Sequence, residues 1–354
     1  MTDSTDNTIQ NRSEIAFVID AKDTNPNGDP LTADNEPRID SVTGQCIVTD
    51  VRLKRYLRDQ LEEDGHSVLI KNPSDDVLSR EEMYNAVKEE MDAELDEADP
   101  TELLKAFVNV ATDVRYFGAT IALDTDLAEE LPDQFEGPVQ FNHGRSYHQV
   151  TRNTESKQLA TVIANPDESS DDGKKEQGTF ATDHRISYGV IGFGGRINDN
   201  AADDTNLSEK DVKRLDTLLW RSLKNQTVTR SKAGQQPRLY VRVEYKEEGF
   251  EIGRLNDRID IASDLPEDEI RGTDDFELDV SELVSTLDEK SARVKTVHVT
   301  ADTAVDFALP DGESGDRDDF YSVLKKAVGS DAVDSDAVDQ YDVYERYKQT
   351  MNTE

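Results

Sequence analysis

EIAFVIDAKDTNPNGDP, residues 14–30, begins with the pattern of a strand and ends with that of a turn. Ile15, Phe17 and Ile19 lie at alternate positions, as in a strand with one apolar face. The Asn, Pro and Gly residues that follow favour a turn, and Gly28 suits a turn position with positive φ. The stretch therefore predicts a strand that ends abruptly in a polar turn.

An amphipathic helix is predicted to follow this turn. Thr49 or Asp50 is suited to cap its N-terminus, because a short polar side chain there accepts a hydrogen bond from the first helical turn. Apolar residues then recur every four positions, at Leu53, Leu57 and Leu61. This spacing places them on one face of the helix.

The rest of the chain supplies further strands and helices. Helices are predicted over residues 80–108 and 208–223, and strands over 113–123, 138–150, 186–197, 238–246 and 293–300. The order strand, helix, strands, helix, strand predicts an α+β fold of the RRM-like (ferredoxin-like) type, with helices packed on one face of an antiparallel sheet. Such a scaffold leaves the other sheet face open, and RRM modules use that face to bind single-stranded RNA.

The domain organisation is predicted to be simple. Nothing like a linker rich in Pro, Gly and Ser divides the chain, so one domain is expected over residues 1–310. Insertions are expected near residues 64–112 and 124–180. Residues 311–354 are acidic, and their pattern predicts a partly helical C-terminal extension.

The composition is strongly acidic, with 77 Asp and Glu residues against 40 Lys and Arg residues and a formal net charge of −37. Disorder caused by high net charge is excluded, because apolar stretches such as residues 188–193 recur and supply a core. A surface covered by carboxylates is instead typical of a protein that works in very high salt. The composition therefore predicts a halophilic setting.

Composition also limits location and chemistry. No apolar run approaches the roughly 20 residues that span a bilayer, and the polar N-terminus lacks the pattern of a signal peptide. A cytoplasmic protein with no membrane partner is therefore expected. The lone Cys46 excludes a disulfide framework and a zinc ribbon, and we expect it to be inert. The five histidines are dispersed, so no metal site and no cofactor are predicted.

One segment departs from this acidity, since residues 213–246 hold nine Lys and Arg residues and two acids. A segment so basic in so acidic a chain indicates a polyanionic partner. Its candidates for phosphate contact are Lys224, near the end of the second helix, and Arg230, Lys232 and Arg238, around a loop that also carries Gln amides.

The first predicted helix carries a second group of cations. Arg52, Lys54, Arg55 and Arg58 are spaced so that they share a broad face opposite the leucines. A solvated basic face is the ordinary interpretation of such a pattern. The acidity of the remaining surface favours instead a role in binding an anion.

The turn after the first strand has two interpretations. Its residues match the opening of a calcium-binding loop, but the twelfth position is Asp34 rather than Glu and a strand precedes it. Calcium is therefore not expected. Asn25 and Asn27 are candidates for presenting amides to a phosphate or ribose, and Lys22 lies beside them at the end of the strand.

The sequence resembles the backbone subunit of type I CRISPR interference complexes, the CRISPR-associated protein seven family, subtype I-B. Four separate runs carry the resemblance in the family's order, over roughly residues 13–250: IAFVIDAKDTNPNGDP, PRID, VTDVRLKRYLRD and TRSKAGQQPRLYVRVEY. The acidic insertions and the residues beyond about 311 match less clearly.

The resemblance implies a hand-shaped protein with an RRM-like palm and inserted finger and thumb elements. It implies a non-catalytic subunit of a Cascade complex that polymerises along CRISPR RNA, contacts copies of itself and other Cascade subunits, and presents the spacer for pairing with invading DNA in antiviral defence. The family's RNA-contacting positions correspond to Asn25, Asn27, Lys54, Arg55, Arg58, Arg230, Lys232 and Arg238.

Two other classes of function stay open. A metal-dependent nuclease or phosphoryl-transfer enzyme would use carboxylates near the first-strand turn, such as Asp23, Asp29 and Asp50. It predicts metal-dependent turnover that is lost on substitution of Asp23 or Asp29. A purely structural subunit would assemble with protein partners and would purify free of nucleic acid.

Overall fold

The fold combines seven helices with seventeen strands in the described part of the chain. The structure is a computed structural model that describes residues 8–31, 35–70, 108, 110–120, 134–153, 157–159, 180–182, 184–226, 232–329 and 337–351. Most of the two predicted insertions, nearly all of the helices predicted over 80–108, and Arg230 lie outside these residues. In chain order the elements are β1 (Ser13–Thr24), β2 (Gln45–Val48), α1 (Asp50–Glu63), α2 (Thr112–Phe117), β3 (Gly118–Thr120), β4 (Gln134–Glu136), β5 (Val139–Phe141), β6 (Gly144–Gln149), β7 (Arg152–Asn153), β8 (Lys157–Leu159), β9 (Phe180–Thr182), β10 (Arg185–Ile197), α3 (Asp199–Thr205), α4 (Glu209–Lys224), β11 (Gln235–Tyr245), β12 (Asp260–Ala262), β13 (Glu277–Asp279), α5 (Ser281–Glu289), β14 (Val294–Ala301), β15 (Phe307–Ala308), β16 (Ser314–Gly315), α6 (Arg317–Val328), β17 (Val338–Gln340) and α7 (Val343–Met351).

The largest sheet has nine strands, in the order β17-β14-β11-β1-β10-β6-β2, with β5 and β7 also paired with β10. β1 lies at the centre, antiparallel to β10 on one side and to β11 on the other. β14 pairs antiparallel with β11, and β17 pairs parallel with β14. The mixed α+β class, the first strand, the two helices α1 and α4, and the strands β10, β11 and β14 agree with the sequence predictions.

β1 is buried on both faces. Ile15, Phe17 and Ile19 pack in the core that lies under α1 and α4, whereas Ala16 and Val18 pack in a second core on the opposite face. This double burial explains why the strand is apolar at every position from 15 to 19, since a strand with one solvated face alternates with polar residues.

The segment after β11 covers the sheet face that was expected to be open. Leu283 of α5, Phe320 of α6 and Leu278 of β13 belong to the second core together with side chains of β1, β10 and β11. β13 is part of a small sheet of order β12-β13-β15-β16. The expectation of an open sheet face is therefore wrong, because the alternate positions of the central strands are apolar and need a cover.

Helix α1 begins where its capping residue predicts. The Thr49 side chain accepts a hydrogen bond from the Arg52 backbone N–H at 3.3 Å, and Leu53, Leu57 and Leu61 are all buried. A capping box formed by Ser208 and Asp211 begins α4 in the same way.

The strand predicted over residues 113–123 is wrong for its first half, which forms helix α2. Val114, Tyr116 and Phe117 have side chains that favour strands. The carboxylate of Asp113, which is fully buried, instead accepts hydrogen bonds from the backbone N–H of Leu69 at 2.7 Å and from Arg58 at 2.9 Å. These long-range bonds outweigh local propensity.

The C-terminal segment returns to the main sheet. β17 adds a parallel strand beside β14, and α7 packs against α4. None of the described helices is long and apolar enough to cross a membrane.

Candidate nucleic-acid interface

The two asparagines of the turn after β1 are buried, at 4% and 5% exposure, and both bond within the protein. Asn27 Oδ1 accepts hydrogen bonds from the backbone N and the Oγ1 of Thr49, at 2.8 and 2.9 Å. Asn25 Nδ2 donates to the backbone oxygen of Asn35 at 2.7 Å. The amide of Asn27 therefore holds the turn against the N-terminus of α1, that of Asn25 holds it against Asn35, and both side chains are buried.

The positive φ in this turn lies at Asp23, with φ 47°, and not at Gly28 as expected. Gly28 instead leaves room for the Asn35 side chain, because a Cβ atom on residue 28 would lie 2.1 Å from Oδ1 of Asn35 unless that side chain moved. The strain of the left-handed conformation falls on an exposed Asp, a residue type that tolerates it better than most.

Lys232 reaches the turn from the loop before β11. Its Nζ donates hydrogen bonds to the backbone oxygens of Asn25 at 2.5 Å and Pro26 at 3.2 Å. Burial lowers the pKa of Lys232 to about 7, and the nearby positive charge of Arg52 lowers it in the same direction. Lys232 thus ties the loop before β11 to the turn after β1.

Arg52 and Lys22 lie beside this clamp. Arg52 lies in the first turn of α1, with its guanidinium 5.9 Å from the centre of the Tyr56 ring. Lys22 is exposed near the end of β1, and its backbone N donates to Gly234 O at 2.8 Å. Neither side chain forms a salt bridge with any described residue. The structure therefore places five predicted positions at or beside this end of β1, called here the turn site: Lys22, Asn25, Asn27, Arg52 and Lys232. The ammonium of Lys22 lies near Gly272, in the segment after β11.

The other cations of α1 each have a carboxylate partner. Lys54 Nζ lies 3.5 Å from Asp50, Arg55 lies 2.6 Å from Asp59, and Arg58 lies 2.9 Å from the buried Asp113. The sequence predicted that all four cations of this face lack a partner. In the described residues three of them form salt bridges, and Arg52 does not.

Lys54 and Arg58 also lie together beside Phe117. Lys54 donates to Gln140 Oε1 at 2.7 Å, and the charged groups of Lys54 and Arg58 lie 5.8 and 5.3 Å from the centre of the Phe117 ring. Burial lowers the pKa of Lys54, and the neighbouring Asp50 opposes this shift. These two cations help to pack α1 against α2.

The basic segment at residues 213–246 owes much of its charge to buried ion pairs. Arg238 lies 2.7 Å from Asp20 and 3.2 Å from Asp302, and Lys224 donates to Gln236 at 2.5 Å. Three further arginines are bound to carboxylates, in the pairs Arg214–Asp211, Arg221–Asp64 and Arg242–Asp216. The ion pairs of these arginines were not predicted from the sequence, because most of the carboxylates lie outside the segment.

Asp216 is the centre of the most buried of these networks. It has no exposed surface, and it accepts hydrogen bonds from Arg242 at 2.6 and 2.8 Å and from the hydroxyl of Tyr240 at 2.7 Å. Burial alone would raise the pKa of Asp216, but the charge and hydrogen bonds of Arg242 outweigh it and lower the pKa. The pair joins α4 to β11.

The carboxylates proposed for a nuclease do not form a cluster. Asp29 lies 3.4 Å from Arg38, and Asp50 lies against Lys54 and 3.2 Å from His143. In the part of the chain that the structure describes, no group of three His, Cys, Asp or Glu side chains is placed to hold a metal ion. Cys46 is buried in β2, and burial raises the pKa of its thiol to about 12.

Comparison with known proteins identifies the family. The family model of CRISPR-associated protein Cas7 matches residues 11–281, which include the whole turn site. The chain belongs to the Cas7 family. A CRISPR-associated protein Cas7 of Haloferax volcanii is 42% identical over 347 residues, which cover 95% of this chain and 99% of that protein. The family and the halophilic setting predicted from the sequence are confirmed.

Two solved structures also match this Cas7 chain. One is described as a CRISPR RNA-guided surveillance complex, with a TM-score of 0.46 and 13% identity, and the other as such a complex before nicking, with a TM-score of 0.45 and 12% identity. Each match covers 97% of this chain and 100% of the other chain.

Proposed function

We propose that this chain is a non-catalytic, CRISPR RNA-binding backbone subunit of a type I-B Cascade interference complex. Copies of it would polymerise along the spacer beside other Cascade subunits and present the spacer for pairing with invading DNA in the cytoplasm. Membership of the Cas7 family is the observation that carries this proposal.

The proposed palm is RRM-like, and two observations support it. The elements β1, α1, β6, β10, α4 and β11 follow one another in the order strand, helix, strand, strand, helix, strand. Their strands are adjacent in the order β11-β1-β10-β6, with α1 and α4 on one face. The finger and thumb are proposed to come from the insertions near residues 64–112 and 124–180, outside the palm strand β6 that the second range contains, within a single domain over 1–310.

The RNA would lie along the end of the sheet at the turn site and not across a sheet face. The face opposite α1 and α4 is covered by the segment after β11, which excludes the single-strand binding mode of an RRM. The turn site instead offers Lys22 and Arg52, two cations that form no salt bridge with a described carboxylate. They are proposed as the direct phosphate contacts.

The other predicted positions would act differently. Asn25, Asn27 and Lys232 would hold the turn in the shape that RNA meets, because their polar groups bond to the turn itself. Contacts from Lys54, Arg55, Arg58, Lys224 and Arg238 require these side chains to leave partners they have in the free chain. Arg230 stays a prediction from the sequence.

Such contacts read the sugar-phosphate backbone and not the bases, as a subunit that accepts any spacer requires. Ion pairs with phosphate weaken as salt rises, because releasing each counterion into a more concentrated solution gains less entropy. In a halophilic setting we therefore expect hydrogen bonds and packing between copies to supply much of the affinity.

The test is to purify the complex in multimolar salt and to sequence the RNA that accompanies it. The proposal predicts CRISPR RNA with spacers of many sequences. An intact complex that contains no CRISPR RNA would contradict it and favour the purely structural subunit. Metal-dependent cleavage of RNA or DNA that is abolished by Asp23→Asn or Asp29→Asn would favour the enzyme.

A further inference from the structure

A cavity lies away from the turn site, among α4, the end of β14, the start of α6 and the connection from β17 to α7. Its volume is about 370 Å³, and its lining includes four aromatic side chains, Trp220, Tyr321, Tyr341 and Tyr344. Apart from Trp220, every lining residue lies C-terminal to residues 11–281, which the Cas7 family model matches. The cavity is therefore a feature of the segment that the family model does not describe.

The polar lining of the cavity is acidic. Asp302, Asp318 and Asp342 line it together with one cation, Arg317, and Asp302 also lies 3.2 Å from Arg238, which does not line the cavity. Asp318 is well exposed, with 77% of its side chain accessible, and lies 3.4 Å from Arg317 Nε. A cation that entered the cavity would meet carboxylates beside aromatic rings.

The chain's own arginines show what the aromatic lining attracts. The guanidinium of Arg317 lies 5.8 Å from the centre of the Tyr321 ring, and that of Arg346 lies 3.6 Å from the centre of the Tyr341 ring. Ring faces carry partial negative charge and attract guanidinium and ammonium groups. Tyr344 is 50% exposed, and no cation of the described residues is stacked on its ring.

We propose that this cavity is a docking pocket for an Arg or Lys side chain presented by another protein. Aromatic rings beside carboxylates are the chemistry that recognises such a cation. A nucleotide would also stack on the rings, but its phosphate would meet the carboxylates of Asp302, Asp318 and Asp342 and be repelled. The pocket thus serves assembly with a protein, and its use does not depend on the turn site.

The only tryptophan of the chain lines the pocket, so its fluorescence reports occupancy directly. The probe is N-acetylarginine amide, and N-acetylcitrulline amide, which has nearly the same shape and no charge, is its control. At constant ionic strength we expect a saturable change with the arginine derivative alone. No change, or the same change with both compounds, overturns the proposal.

Two variants locate the binding within the pocket. Tyr344→Ser and Asp318→Asn change exposed side chains, so both should fold, and each should weaken the arginine response at least several-fold. Val42→Ser removes another exposed apolar side chain, one that does not line the pocket, and should leave the response unchanged. Equal responses from all three variants contradict the assignment.

Replacement of Tyr344 by the photo-cross-linker p-benzoylphenylalanine tests the pocket in the assembled complex. We expect a cross-link to a peptide of another protein chain that contains Arg or Lys. A cross-link to RNA, or none, contradicts the proposal. The RNA content of a Tyr344→Ser complex should equal that of the wild type, which separates failure of this proposal from failure of the RNA-binding proposal.

Discussion

The turn site and the Asp216 network use cations in opposite ways. At the turn site, Arg52 and Lys22 have no carboxylate partner among the described residues. Under α4, Arg242 is bound at two atoms by a fully buried carboxylate. Arg52 and Arg242 both come from stretches that were singled out in the sequence for their cations. A cation with a close carboxylate stabilises the fold, whereas a cation without one is available to RNA. The number of cations in a segment does not distinguish the two cases.

The largest effect is expected where a buried pair is broken. Arg242→Met removes the cation that is bonded to Asp216 at two atoms and leaves this buried charge with the more distant Arg346, at 3.6 Å, which costs up to about 3–5 kcal/mol. The free energy of unfolding, measured with denaturant in multimolar salt, should fall by that amount.

The double variant Asp216→Leu with Arg242→Met is the control. It removes both charges and retains apolar volume, so most of the stability should return. A single variant as stable as the wild type would show that the pair does not build the fold.

A smaller loss is expected at the turn itself. Asn27→Ala removes the acceptor of two hydrogen bonds from the part-buried Thr49, so we expect a loss near the lower end of the about 1–3 kcal/mol that a buried donor without a partner costs. The same unfolding measurement should show this loss, and the complex should retain less RNA because the turn is no longer held.

Asn142→Ala changes an exposed asparagine and serves as the comparison. If Asn27→Ala lowered RNA content with no loss of stability, Asn27 would contact RNA directly, as the sequence analysis predicted.

The helices and strands could be predicted from the sequence better than the ion pairs that join them. Thr49 and the apolar spacing of α1 identify a helix and its first residue, because the signals for a cap and a buried face are local. The partners of Arg238 and Arg221 are Asp20 and Asp64, which lie far away in the chain. Counting charges along a segment cannot detect such pairs.

The burial of the second sheet face could be predicted in part from the sequence. The unbroken apolar run from 15 to 19 is typical of a strand covered on both faces. The segment that covers it follows more than two hundred residues later in the chain, and no local pattern joins the two.

Lys232 belongs to the turn site, but it bonds within the protein as the cations that stabilise the fold do. Its contribution to stability should depend on pH. Its pKa in the folded chain is about 7, lowered from 10.5. Between these two values the unfolded chain holds the proton and the folded chain does not, so the free energy of unfolding should rise with pH across this window. Below about pH 7 both states hold the proton and this contribution to the slope disappears.

The measurement is denaturant unfolding of the wild type and of Lys232→Met at several pH values between about 6 and 9, at fixed salt. The difference in slope between the two proteins isolates Lys232 from other titrating groups. Parallel slopes would show that the ammonium is not buried in the clamp.

The salt dependence of RNA affinity shows most directly whether the cations without a salt-bridge partner are the ones that contact RNA. Arg52→Ala removes a cation without a carboxylate partner, whereas Arg55→Ala, on the same helix, removes one that lies 2.6 Å from Asp59. Arg52→Ala should reduce the slope of log affinity against log salt by about 1, and Arg55→Ala should leave the slope unchanged. Equal reductions in both variants, or a larger one for Arg55→Ala, would contradict the account.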